Sequence, residues 1–237
     1  MAEPMTLVDT HVHFWDPTRL RYPWLGSVPA LGRAFLPADY SVQALLPNTA
    51  KWVFVECGCD PASSLAEAKW VAGLAAAEPR LQGIVARASV EQGNAVREHL
   101  VALSRIPQVR GVRRNLESET DPDFCLSPDF IAGVRELIPF DFSFDLCLRH
   151  HQLPAVIELV RRCPEVPFVL DHCGKPAIRE RVFDPWRQHI RELATLVLRL
   201  ASNHERWFEA LEACLTGMTD EARGKLYRFN GEAFYRL

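Results

Sequence analysis

Short, nearly continuous apolar runs alternate along most of the chain with longer stretches of helical spacing. The runs are TLVDTHV (6–12), KWVFVEC (51–57), LQGIVAR (81–87), VRGVRR (109–114), FSFDLCL (142–148) and VPFVLDH (166–172). A polar or glycine-containing turn follows each, and apolar positions at i, i+3 and i+4 then mark helices over 63–78, 95–106, 127–138 and 153–163. Runs that do not alternate suit strands covered on both faces, so the pattern predicts an α/β protein of six parallel βα units. An open doubly wound sheet and a closed barrel both satisfy it. A sheet of the first kind commonly carries a glycine-rich phosphate loop, and neither GxGxxG nor a P-loop occurs, which leaves the barrel. Past the sixth run the rhythm stops: residues 184–215 keep helical spacing almost throughout, and no seventh or eighth strand is visible. The predicted fold is a TIM-like (β/α)8 barrel that is incomplete.

Composition narrows the class. The chain has 237 residues, 48% hydrophobic and 24% charged, and no stretch is polar or repetitive enough for a disordered tail, so one folded domain over 1–237 is expected. A net charge of -3 with both signs interspersed gives no basic stripe for nucleic acid and no polybasic segment for a membrane; the expected partner is a small molecule. No apolar stretch approaches the ~18 residues of a membrane span, and the first residues lack a signal-peptide pattern. Seven cysteines scattered through apolar segments resemble buried thiols of a reducing compartment, and a cytoplasmic protein is expected.

In a barrel the chemistry sits at the C-terminal ends of the strands, and polar residues accumulate there. His11 and His13 end the first run with Asp9 before them, on one strand face by parity, where two imidazoles can share a cation. Glu56 ends the second run, Arg113 and Arg114 the fourth, His150 and His151 follow the fifth, and Asp171 and His172 end the sixth. Of Arg113 and Arg114, one can face the barrel mouth and bind oxygens while the other pairs with a surface acid; parity does not say which. Asp171 and His172 face opposite sides unless a turn has already begun. HHQLPAV also reads as a helix start. Cys57 and Cys59 lack two further ligands nearby and read as packed thiols, while Phe14, Trp15, Tyr22 and Trp24 suit either a cover over a polar substrate or packing on the rim.

Together, VDTHVHFWDP, RYPWL, SFDLCLRHHQLPAVIELVRRCP and FVLDHCGKP closely resemble the sugar-lactonase branch of the amidohydrolase superfamily, of the L-fuconolactonase and L-rhamnonolactonase type. The resemblance covers residues 5–196 and resumes over 204–237. It implies a (β/α)8 barrel that hydrolyses a lactone to the hydroxy acid, with a sugar lactone or sugar acid as partner. On this resemblance His11 and His13 match the strand-one pair, the expected metal ligands, and His172 the strand-six histidine, an expected catalytic group; from their places at strand ends and on the rim, Arg113 is the other expected catalytic group and Trp24, Glu56, Arg114 and His151 the expected substrate contacts. Members differ in their need for a divalent metal. Zinc or manganese at His11 and His13 would polarise the carbonyl or activate water; a metal-free centre would rely on the histidines and an arginine at the carbonyl oxygen.

The resemblance also has a gap. The family's strand-eight motif, Gly-Ser-Asp-Trp-Pro, supplies an aspartate that takes a proton from water, and nothing in the sequence corresponds to it. RELATL resembles the end of the sixth helix, and VLRLASNHERWFEAL resembles the stretch after that aspartate, which places a deletion junction near 196–197. About 40 residues are missing at about 30 per βα unit. Two open sheet edges would favour pairing with another copy as a homo-oligomer. The expected function is lactone hydrolysis weakened by the lost aspartate, and the alternative is a catalytically inactive truncated relative that binds a sugar acid or a protein partner.

Overall fold

A computed structural model describes residues 7–43, 49–196, 199–200, 219, 221 and 224–237. Strands and helices alternate as the pattern predicts: β1 (Leu7–Val12), α1 (Pro37–Gln43), β2 (Thr49–Val55), α2 (Ser64–Leu74), β3 (Leu81–Arg87), α3 (Arg97–Ser104), β4 (Val109–Arg113), α4 (Pro128–Arg135), β5 (Ser143–Leu146), α5 (Leu153–Arg162), β6 (Phe168–Leu170) and α6 (Trp186–Thr195). A two-residue β7 (Arg199–Leu200) and a closing helix α7 (Asn230–Tyr235), entered through a π-helical turn over Lys225–Phe229, complete the order. Hydrogen-bonded strand neighbours follow chain order from β1 to β7. Contacts divide the chain into two compact units, Met1–Ile84 with Ser202–Leu237, and Val85–Ala201.

In the first unit β1 pairs parallel with β2, whose Trp52, Val53, Phe54 and Val55 are all fully buried. That run cannot alternate because both of its faces are covered. Phe14 stacks on Phe54 with ring centroids 6.1 Å apart, and Tyr40 meets Trp52 edge-on at 4.9 Å. The closing helix belongs to this unit: Lys51 on β2 pairs with Glu232 at 2.6 Å.

In the second unit β4, β5, β6 and β7 are parallel neighbours, in register at Gly111↔Ser143, Phe144↔Phe168 and Val169↔Arg199. Gly111 has no alternative there, since a Cβ would lie 2.1 Å from Ser143 Oγ. Ser127 caps α4, accepting the Phe130 N–H at 3.3 Å, with Pro128 in the first turn, where its missing N–H costs nothing. The helix then lays Phe130, Ile131 and Val134 on the core. Pro154 opens α5, and Arg161 and Arg162 close it where cations suit the helix C-terminus.

β7 corrects the expectation that no strand follows the sixth. VLRL is too short for periodicity to separate a strand from a helix turn, and pairing with β6 settles it. The expected helical spacing is confined to α6 among the described residues; the rest of that reading, over 201–215, lies outside them.

Candidate active site

β1 does not run straight into its histidines. Asp9 pairs with Trp52 and Val12 with Phe54, so three steps on β1 match two on β2, and the strand bulges where His11 sits. Asp9 stabilises the bulge: its Oδ1 accepts the His11 backbone N–H at 3.1 Å, and the Tyr40 hydroxyl donates to its Oδ2. Burial, and after it the neighbouring Asp9 carboxylate, pushes the Tyr40 phenol far above its usual range, so it remains a donor. The buried His11 ring meets His13 edge-to-face with centroids 4.9 Å apart. His13 Nδ1 lies 2.7 Å from the Val55 carbonyl oxygen. A carbonyl only accepts, so Nδ1 carries a proton and donates it to Val55.

Trp24 and Glu56 meet at the turn after β2. Glu56 is buried and its Oε2 accepts the Gly58 N–H at 2.8 Å; Trp24 Nε1 donates to the Cys57 carbonyl at 2.7 Å. Gly58 adopts φ +72°, and a Cβ there would sit 3.3 Å from the Trp24 ring. Tyr22, Leu25 and Cys59 pack beneath, with Trp15, Leu20, Trp24 and Leu31 around them. Cys57 and Cys59 are packed thiols. Burial, reinforced by Glu67 and Glu56, pushes the Cys57 thiol well up.

Sequence reasoning missed Glu67. Burial, aided by the charge of Glu56, pushes its carboxyl from 4.5 up to about 7. The signal was available: Ser64, Glu67, Ala68 and Val71 form the buried stripe of α2, and a carboxyl within such a stripe is costly without partners.

In the second unit the question of the two arginines is resolved. Arg113 turns inward, its Nη1 2.9 Å from Asp171 Oδ2, both side chains buried. Arg114 is held by Glu91 and Glu119 at 2.7 and 2.6 Å and lies over Phe124. Its guanidinium is committed to those two carboxylates.

The parity argument for Asp171 and His172 does not apply, because the turn has begun. β6 ends at Leu170, and His172, Cys173, Gly174 and Lys175 all take positive φ, at 51°, 53°, 68° and 45°. Four successive left-handed residues, three bearing side chains, store strain that the surroundings must hold. Lys175 holds one end: its ammonium pairs with Glu117, which also pairs with Arg149 at 2.8 Å. Burial alone would raise the Glu117 carboxyl, but the Lys175 hydrogen bond and the charges of Lys175, Arg149 and His172 outweigh it and hold it below the ordinary range. Trp186 Nε1 anchors the other side on the Cys173 carbonyl at 2.8 Å. His151 is exposed in the turn that opens α5, so the helix-start reading of HHQLPAV is the one the chain adopts.

The family model described as amidohydrolase matches residues 8–202, most of the chain. The chain belongs to the amidohydrolase family. Within it, the L-fucono-1,5-lactonase of Burkholderia multivorans is 32% identical over 196 residues, covering 80% of this chain and 64% of that protein. An uncharacterized protein of Sinorhizobium fredii is 29% identical over 210 residues, covering 80% and 69%. The chain thus spans about two thirds of the length of these curated relatives. A crystal structure of a Burkholderia multivorans amidohydrolase with bound zinc superposes with a TM-score of 0.81 at 23% identity, covering 98% of this chain and 99% of that one. The fold is therefore that of the amidohydrolase (β/α)8 barrel, in incomplete form.

Proposed function

We propose that this amidohydrolase opens a sugar lactone: water adds to the ester carbonyl, the ring C–O bond breaks, and the ring oxygen leaves as a hydroxyl. The observation that carries the reading is the likeness to the L-fucono-1,5-lactonase, 32% identical over 80% of the chain. In this reading a divalent cation would bind at His11, at the end of β1. An imidazole donor suits zinc or manganese. The cation would polarise the lactone carbonyl and lower the pKa of water. His13, expected from sequence as the second ligand, is given proton transfer, its ring oriented by the Nδ1–H donated to the Val55 carbonyl.

The remaining roles rest on what each side chain already touches. Arg113 fixes the Asp171 carboxylate through Oδ2 and brings a buried positive charge to the end of β4. Trp24 supplies a flat wall for a sugar face, and Glu56 accepts from a ring hydroxyl. Arg114 and His151 are left out: the first is committed to Glu91 and Glu119, the second is exposed at the start of α5.

A binding-only reading is favoured by one observation, the 64% span of the lactonase, which fits the internal deletion inferred near 196–197. Proton NMR of L-fucono-1,5-lactone with the purified chain separates the two. Appearance of hydroxy-acid resonances at a rate proportional to protein supports hydrolysis. Broadened lactone lines with no acid above background would leave only binding.

A further inference from the structure

The first unit carries a buried polar cluster centred on Glu67, a residue the mechanism above does not use. Glu67, on α2, is faced by the Tyr22 hydroxyl from the aromatic loop and by the Cys57 and Cys59 thiols and the Glu56 carboxylate from the turn after β2. The Cys57 thiol lies 3.6 Å from Glu67 Oε1 and 3.2 Å from the carbonyl oxygen of Phe14, the residue after His13. Tyr22 is buried without a well-formed hydrogen bond to its hydroxyl, and burial together with the nearby Cys57 and Glu67 raises its phenol far above the usual range. Two positions along from Tyr22, Trp24 is tied to the Cys57 carbonyl.

One carboxyl therefore gathers three segments: the loop that presents Trp24, the turn that presents Glu56, and, through Cys57, the chain just past His13. We propose that Glu67, with Tyr22, is a positioning residue that sets the Trp24 wall against the end of β2, and so sets how a sugar ring is held. The proposal rests on the lactonase reading only for the identity of what the wall contacts. A carboxylate offers only acceptor sites to the hydroxyl and thiols around it. The acid form turns one oxygen into a donor, so acceptor capacity toward those groups falls and the loop loosens. Burial has moved this change close to neutral pH, with a midpoint of about 7.

The test reads Trp24 directly and needs no turnover. Tryptophan emission is titrated from pH 5 to 9 for the wild-type chain and for Trp24→Phe, and the difference isolates Trp24. The expected wild-type difference spectrum shifts with a midpoint near pH 7. In a Glu67→Gln background, compared with and without Trp24→Phe, the shift is lost. Tyr22→Phe keeps the ring and removes one donor to the carboxylate, so the midpoint moves upward; this variant decides the matter if Glu67→Gln does not fold. A pH-independent Trp24 signal in the wild type, or a midpoint unmoved by either substitution, overturns the proposal. Lactone kinetics then test the link to substrate: Tyr22→Phe should raise KM several-fold with kcat within about twofold. If the wild-type chain turns over no lactone, the functional reading fails while the emission titration still decides the positioning role.

Discussion

Burial moves the Glu67 carboxyl from 4.5 up to about 7, so between those values the folded chain holds a proton that the unfolded chain has released. The stability this contributes is fully present below 4.5 and is lost as pH rises toward 7, by about 3 kcal/mol for a shift of this size. Glu67→Gln should remove that fall, so urea midpoints of variant and wild type should diverge in the variant's favour between pH 5 and 8. Asp171 is buried in an ion pair with Arg113. Asp171→Asn leaves a buried guanidinium without its counter-charge and should cost about 3–5 kcal/mol, read from the same urea curves. Removing the exposed Arg21–Asp60 pair should cost under about 1 kcal/mol. Single side chains were only partly legible in the sequence. The strand-end positions of His11, His13, Glu56 and Arg113 could be read from the pattern, whereas the inward turn of Arg113 needed its partner Asp171, 58 residues away.

The left-handed turn after β6 shows why parity arguments stop at a strand end. DHCGKP announces a turn through Gly174 and Pro176, but nothing local tells that His172 and Cys173 share the positive φ of the glycine. Tertiary ties impose it, from Lys175 to Glu117 and from Trp186 to the Cys173 carbonyl. Cys173→Gly removes a Cβ from a left-handed position and should stabilise the fold by about 1 kcal/mol, seen as a higher unfolding midpoint. The bulge of β1 is likewise invisible in LVDTHV, because it is set by pairing with β2 and by the Asp9 side chain. The six βα units were legible because strands covered on both faces must be apolar throughout; β7, with two residues, carries too little pattern to declare itself.

For the molecule as a whole, family membership and fold are secure and the catalytic reading is a claim about what the incomplete barrel still does. If the inferred deletion removed a catalytic carboxylate, grafting the corresponding lactonase segment between Leu196 and Val197 should raise kcat by about 10²- to 10⁴-fold, the usual worth of a positioned general base. The most direct measurement is a pH-stat record of acid release from L-fucono-1,5-lactone by the purified chain, with and without added zinc, beside His11→Ala and His13→Gln and with bound metal assayed in each. The account predicts release above the spontaneous rate for the wild type, loss of both metal and rate in His11→Ala, and retained metal with a lowered rate in His13→Gln. Wild-type release at the spontaneous rate under every metal condition would contradict it.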